Sequence, residues 1–179
     1  PFCFKFSSGE NSSKTVQKSE GCVINSSAEG AKSLKLNSGA WVDAHRVGPG
    51  AYKLDMGTES VLDLHDNSLN FSELSGGGTL RNFDVLSKTA SGTAEYSGDL
   101  EGTGSLVIEA EGTQTLSGTN TYTGSTTVKQ GMLKAGSANA LSRASNTIIE
   151  GSATLDLGGK LQTIDNLSVT GSGSKVQNG

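Results

Sequence analysis

Residues able to do acid–base or nucleophilic chemistry are few in this chain. It has two histidines, His45 and His65. No Gly-Asp-Ser-Gly or Gly-x-Ser-x-Gly sequence, the usual context of a serine nucleophile, occurs, and residues 171–174 read Gly-Ser-Gly-Ser, which is the wrong order. The neighbouring residues predict a loop around His45 and a turn at His65. We therefore expect both histidines to be ordinary surface residues.

Three aspartates, Asp55, Asp63 and Asp66, could supply an acid–base pair for cleaving polysaccharides. Their spacing matches no such site, and arginine, which lines the grooves of polysaccharide lyases, is scarce. Calcium-binding repeats of the form Gly-Gly-x-Gly-x-Asp are absent, because residues 76–79 lack the aspartate. We expect no enzymatic activity, no cofactor and no metal site. A polysaccharide-active enzyme remains the alternative.

Cys3 and Cys22 are the only cysteines and have 18 residues between them. An even count near one end predicts a single disulfide that pins the N-terminal segment. Such a bond would place the protein in an oxidising compartment: the periplasm, the cell surface or the exterior. Two independent reduced thiols are the alternative.

Two stretches, 40–52 and 82–100, lack the regular pattern of the rest and predict surface loops. Binding residues concentrate on loops above a rigid scaffold. The first stretch is aromatic and basic, whereas the second is acidic and belongs to a segment, residues 51–111, with a net charge of −8. The candidate binding residues are Trp41, His45, Arg46, Tyr52, Glu95 and Asp99. A lone tryptophan is more often a core residue, so burial of Trp41 is the alternative.

Composition favours an ordered fold built from short strands. The chain has 179 residues, of which 25 are glycine and only 2 proline, and 18% are charged. Low charge and evenly spaced Leu, Val and Ile argue against disorder. The net charge of −4 counts against a general nucleic-acid binder, and no apolar stretch is long enough for a transmembrane helix. Without an initial Met or a signal peptide, we expect a processed piece of a longer precursor.

Short alternating strands recur with a period of about 20 residues. Val128, Ile149 and Val169 lie 21 and 20 residues apart, and a second strand-like run follows each. This period indicates a solenoid, in which stacked coils bury one apolar stripe per strand. The sequence therefore predicts an all-β parallel β-helix over 34–179 with an N-terminal cap or arm over 1–33. A β-sandwich is the alternative.

Residues 113–136 carry the most specific motif of the chain. They contain the pattern L-S-G-x-N-T-Y-T-G-x-T-x-V-x-x-G-x-L, with all twelve specified positions filled. The matching residues are Leu116, Ser117, Gly118, Asn120, Thr121, Tyr122, Thr123, Gly124, Thr126, Val128, Gly131 and Leu133. This closely resembles the repeat of bacterial autotransporter passengers, the type V secretion substrates.

The resemblance implies a right-handed parallel β-helix exported through the periplasm, by way of the outer-membrane β-barrel of its own precursor, to the cell surface or the medium. The N-terminal part, which departs from the repeat and carries the cysteine pair and the Trp/Tyr/Arg stretch, favours a non-enzymatic virulence factor that binds a host cell-surface protein, glycan or matrix component, with no nucleic-acid partner. Such a passenger would be an adhesin or a receptor-activating ligand, for example an angiogenic factor of the Bartonella kind. A structural stalk that presents another domain is the alternative, because the repeat itself identifies a scaffold and no active site.

Overall fold

The computed structural model describes residues 4–6, 12–16, 22–26 and 32–179, the first three segments through their backbone only. This part of the chain is all-β, and none of its residues form a helix that could cross a membrane. The strands are β1 (Phe4–Phe6), β2 (Ser12–Val16), β3 (Cys22–Ser26), β4 (Lys32–Leu36), β5 (Trp41–Val47), β6 (Ala51–Met56), β7 (Val61–Gly76), β8 (Thr79–Lys88), β9 (Ala94–Tyr96), β10 (Asp99–Glu101), β11 (Ser105–Leu116), β12 (Thr126–Ala135), β13 (Asn146–Ile149), β14 (Thr154–Asp156), β15 (Asn166–Val169) and β16 (Lys175–Gln177).

Every strand pairing in the described residues is parallel, and the pairings form three ladders. The first ladder joins β1, β3, β5, the beginnings of β7 and β8, and β10. The second runs from the middle of β7 through the end of β8 and the beginnings of β11 and β12 to β13 and β15. The third contains β2, β4, β6, the end of β7, β9, the ends of β11 and β12, β14 and β16. The chain is thus a parallel β-solenoid of about 7 turns.

The period predicted from the sequence is confirmed by the register. Val128 pairs with Ile149, and Ile149 pairs with Val169, in the second ladder. The second run of strands also stacks, with Leu133 opposite Leu155 in the third ladder. Because the described strands pair only in parallel, the β-sandwich alternative is wrong for this part of the chain.

Inward side chains stack in columns that run along the coil axis. Leu34, Leu54 and Leu74 lie in register on three successive coils, and all three are fully buried. A buried leucine contributes about 1.5–3 kcal/mol relative to an exposed one, so a narrow coil needs few hydrophobic residues. This explains how a chain with only 33% hydrophobic residues builds a continuous core.

One coil is shorter than the others. Pairs between β7 and β8 lie only 16 to 18 residues apart, as in Asn67 with Phe83 and Val61 with Thr79, against 20 between β5 and β7. The register shifts twice in this coil, between Asp63 and Asn67 and between Asn67 and Leu69. These irregularities bend the chain beside the candidate site described below.

The stretches predicted as loops are mostly strands, which corrects that expectation. Residues 41–47 and 51–56 are β5 and β6, with a turn only at 48–50. Residues 82–88 continue β8, residues 94–96 form β9, and residues 99–100 belong to β10, so that only 89–93 and 97–98 lie outside strands. Charged and aromatic residues obscured the alternation in the sequence, because outward positions of a solenoid strand tolerate any side chain.

The predicted N-terminal division and disulfide stay predictions. Strand β4 (Lys32–Leu36) crosses the predicted boundary at 33/34 and pairs with β2 on one side and β6 on the other. Strand β1 pairs with β3, which pairs with β5. Cys3 and the side chain of Cys22 lie outside the described residues, and no disulfide is shown.

Candidate functional site

The candidate site lies on the outer surface of the first ladder. We call this surface the β5 face: the outward side chains of β5, of residues 61–65 and 79–81, and of β10. The strand register places residues from four successive coils in two columns. Within each column, residues on adjacent coils lie about 4.8 Å apart. One column is Trp41, Val61, Thr79 and Asp99, and the other is Asp43, Asp63, Arg81 and Glu101.

Alternation over residues 41–45 of β5 decides which side chains reach this surface. Val42 and Ala44 are buried, whereas Trp41, Asp43 and His45 point outward. Successive side chains of a strand lie on opposite faces of the sheet, so residues two apart share one face. On the next coil Asp63 lies in register with Asp43, although its neighbours bury it.

The two histidines of the chain stack on each other across adjacent coils. Their ring centroids are 4.3 Å apart and their planes differ by 23°. Both Nε2 atoms point towards one carboxylate: that of His65 hydrogen-bonds Asp43 Oδ1, and that of His45 lies 3.6 Å from Asp43 Oδ2. Three potential metal-binding or proton-carrying groups therefore converge on the outer wall.

A bend in the backbone places His65 over His45. His65 and Asp66 adopt left-handed conformations, with φ of 45° and 58°, where the register between β7 and β8 shifts. The backbone N–H of His65 donates to Asp63 Oδ1 at 3.2 Å, and Asn67 Nδ2 donates to the Leu64 carbonyl at 2.7 Å. Left-handed backbone costs free energy for residues other than glycine, least for Asn, Asp and His, and these hydrogen bonds help to offset that cost.

Asp63 is the centre of a hydrogen-bond network beside the two histidines. Its carboxylate accepts hydrogen bonds from Arg81 Nε at 2.9 Å and from Asn82 Nδ2 at 3.1 Å. Desolvation by itself would raise the pKa of Asp63, but the hydrogen bonds from Asn82, from the His65 backbone and from Arg81 lower it below its ordinary value. The Arg81 guanidinium also lies over the Trp41 ring, 5.8 Å from its centroid, which is within cation–π range.

Asp43, His45 and His65 form a group of side chains that can hold a metal ion. Within the part of the chain that the structure describes, their donor atoms all lie within 4.8 Å of one another. A short signal for this group is present in the sequence: Asp-Ala-His at 43–45 and Asp-Leu-His at 63–65 are one coil period apart. Applying the 20-residue period to the histidines would have found it.

Comparison with known proteins adds the decisive observation. A family model described as the passenger-associated-transport-repeat matches residues 111–135. No curated protein and no solved structure matches the chain significantly. The repeat, in a parallel β-solenoid, fits the passenger domain of an autotransporter. A passenger repeat of this family implies secretion or surface display.

The residues of the passenger repeat face the core and the corners. Asn120 is buried, and it bridges three coils: its Oδ1 accepts from Leu100 N at 2.9 Å, and its Nδ2 donates to the Ala140 carbonyl. Tyr122 is wholly buried, and its hydroxyl is 2.6 Å from Thr126 Oγ1. Gly118 lies against Gly98, where a Cβ would come 1.9 Å from the Gly98 carbonyl oxygen.

The predicted binding residues of the first stretch divide into surface and core. Trp41 is 50% exposed, and Arg46 is exposed with no ion pair to any described residue. Tyr52 is fully buried, its hydroxyl donates to the Gly48 carbonyl at 3.1 Å, and Lys32 Nζ lies 5.3 Å from its ring centroid. Tyr52 therefore packs beneath the turn, which corrects its predicted exposure.

The acidic candidates lie on two different ladders. Asp99, on β10, shares a column with Trp41 on the β5 face, three coils away, and accepts from Thr119 N at 2.8 Å. Glu95, on β9, belongs to the third ladder and accepts from the Ser117 hydroxyl. The structure thus brings Trp41, His45 and Asp99 to one surface and leaves Glu95 on another.

The three aspartates considered for acid–base chemistry are also separated. Asp55 lies on β6 in the third ladder, where it pairs with Lys35 at 2.8 Å. Asp63 is held by Arg81 and Asn82 in the first ladder, and Asp66 follows it in the bend. Asp55 thus lies on a different ladder from Asp63, whereas Asp66 follows Asp63 by three residues.

Proposed function

We propose that this chain is a non-enzymatic autotransporter passenger, a right-handed β-helix exported through the periplasm and then secreted or displayed on the bacterial surface, where it binds a host cell-surface protein, glycan or matrix component. The observation that carries the proposal is the passenger repeat at 111–135 built into the solenoid core. The repeat supports export, and the polar wall around it supports a role in contact with other molecules. Adhesin and receptor-activating ligand, including an angiogenic factor, are the two forms of this role.

The β5 face is the surface on which we place the partner. A solenoid wall is regular and offers little concavity for a small molecule, so a macromolecular partner fits it better. Tryptophan and arginine are the residues most enriched among binding hot spots. Trp41 and Arg46 bring these two types to one strand, β5, on an otherwise polar wall.

Binding of the purified chain to intact host cells tests this placement. We expect saturable binding, weakened about 10-fold by Trp41→Ala and by Arg46→Ala, since losing a hot-spot contact costs at least about 1–2 kcal/mol. Arg143→Ala, at another exposed arginine away from β5, is the matched control and should bind like the parent. Equal affinities for all variants would move the partner to the acidic residues, where charge reversal at Glu95 and Asp99 is the next test.

A structural stalk is the second candidate. The ladders continue from coil to coil through the described residues with a narrow core, which is the geometry of a rod that holds another domain away from the cell. A stalk predicts no saturable binding to host cells at micromolar concentration. Cleavage of a defined polysaccharide would instead favour the enzyme alternative.

A further inference from the structure

We propose that Asp43, His45 and His65 bind one divalent transition-metal ion, such as Zn²⁺, on the outer wall of the solenoid. The site is distinct from the host-binding role proposed above and does not depend on it. It also departs from our expectation, from the sequence, of no metal site.

The first argument is geometric. Both imidazole Nε2 atoms point towards the carboxylate of Asp43, and all three donor groups lie within 4.8 Å of one another. Zinc is bound by histidine nitrogen at about 2.0–2.1 Å and by carboxylate oxygen at about 2.0–2.2 Å. The two rings are stacked with centroids 4.3 Å apart, so both exposed histidine side chains must rotate for their Nε2 atoms to meet a single ion at those distances.

The second argument is chemical. Two imidazoles and one carboxylate suit zinc, copper, nickel and iron, whereas calcium and magnesium prefer sites made wholly of oxygen. The three protein ligands leave at least one coordination position to water or to a ligand from another molecule. A metal ion held here is therefore open on its solvent side.

The third argument is the support beneath the ligands. Asp63 accepts the backbone N–H of His65, and Arg81 in turn binds Asp63, so a hydrogen-bonded network fixes the strand that carries one ligand. Outer partners of this kind orient metal ligands in proteins. The Arg81 charge is balanced by Asp63 at 2.9 Å, which leaves the Asp43 carboxylate to balance the charge of an ion.

Titration of the full-length chain with ZnCl₂ in a calorimeter tests the proposal, after free thiols are blocked with iodoacetamide so that Cys3 and Cys22 cannot bind the metal. We expect one ion per chain and a melting temperature that rises with zinc and returns with EDTA, because a ligand of the folded state stabilises it. His45→Gln and His65→Asn should each weaken binding at least about 10-fold. Asparagine tolerates the left-handed backbone at 65.

Asp66→Asn is the matched control, since Asp66 is exposed next to His65 but is not one of the three ligands. It should bind zinc like the parent chain. The chain has no histidine besides these two, so binding that survives in the His45→Gln/His65→Asn double variant would overturn the proposal. Absence of stoichiometric binding to the parent would overturn it as well. If His65→Asn alters folding, His45→Gln, on the regular strand β5, gives the same answer.

Discussion

At the scale of single residues, buried polar side chains join one coil to the next. Gln114 is fully buried and hydrogen-bonds both backbone groups of Leu74, two coils away. Asn120 makes the equivalent connection from Leu100 to Ala140. Such amides replace ladder hydrogen bonds that the turning backbone cannot make, since buried backbone groups must be paired.

Asn120→Ala tests this role. The substitution leaves the Leu100 N–H and the Ala140 carbonyl without the side-chain partners they have now. An unsatisfied buried group costs about 1–3 kcal/mol, so we expect a loss of about 2–4 kcal/mol in urea unfolding. Asn70→Ala, at an exposed asparagine on β7, is the control and should change stability little. Equal losses at both positions would contradict the bridging role.

Ionisation of Tyr122 lowers the free energy of unfolding at alkaline pH. Desolvation by burial raises the pKa of its hydroxyl to about 12, against an unperturbed tyrosine value of about 10. The folded state therefore keeps a proton that the unfolded state releases, so the stabilisation is complete below pH 10 and is lost as pH rises towards 12. Between those values, the parent should lose about 1.4 kcal/mol per pH unit more than Tyr122→Phe, measured by urea unfolding at pH 8 and 11. Parallel losses in the two proteins would show that Tyr122 ionises equally in both states.

At the scale of elements, glycines permit the coils to stack at their corners. The Gly118 and Gly98 corners lie against each other, with a hypothetical Cβ on Gly118 only 1.9 Å from the Gly98 carbonyl oxygen. Close approach of two backbones, and not a left-handed φ, is what requires glycine here. Gly118 of the repeat pattern therefore marks a position where two successive coils are in contact.

Gly118→Ala should destabilise the chain by about 3 kcal/mol or more, because the added methyl group forces backbone apart in the middle of the solenoid. Gly77→Ala is the matched control, since a Cβ there meets only the Ser97 hydroxyl, at 3.3 Å, and a methyl group of Thr58. Thermal melts of the two variants make the comparison. A smaller effect at Gly118 than at Gly77 would contradict the stacking of these corners.

The 20-residue period, the parallel stacking and the family resemblance could be predicted from the sequence, because alternation and glycine corners are local features. The short coil between β7 and β8, whose register shifts leave no apolar pattern, was missed, and Tyr52 was placed on the surface although its ring fills the core. The group of Asp43, His45 and His65 was missed for a different reason. Its members meet only when two coils are superimposed, and each histidine considered alone resembles an ordinary surface residue.

At the scale of the whole molecule, successive coils stack in register, so side chains about 20 residues apart on adjacent coils form a continuous surface. The β5 face is built this way, with Trp41, paired acidic and basic residues, and two histidines on adjacent coils. The passenger-associated repeat within this solenoid implies secretion or surface display. Export and surface exposure are thus the central claim.

Protease shaving of intact bacteria that express the protein tests that claim most directly. Antibodies raised against the purified chain would follow its fate in the medium, on intact cells and in lysed cells. We expect the chain in the medium or on the cell surface, where added protease removes it while a cytoplasmic marker stays intact. A chain that resists protease in intact cells, is absent from the medium and becomes accessible only on lysis would contradict the account.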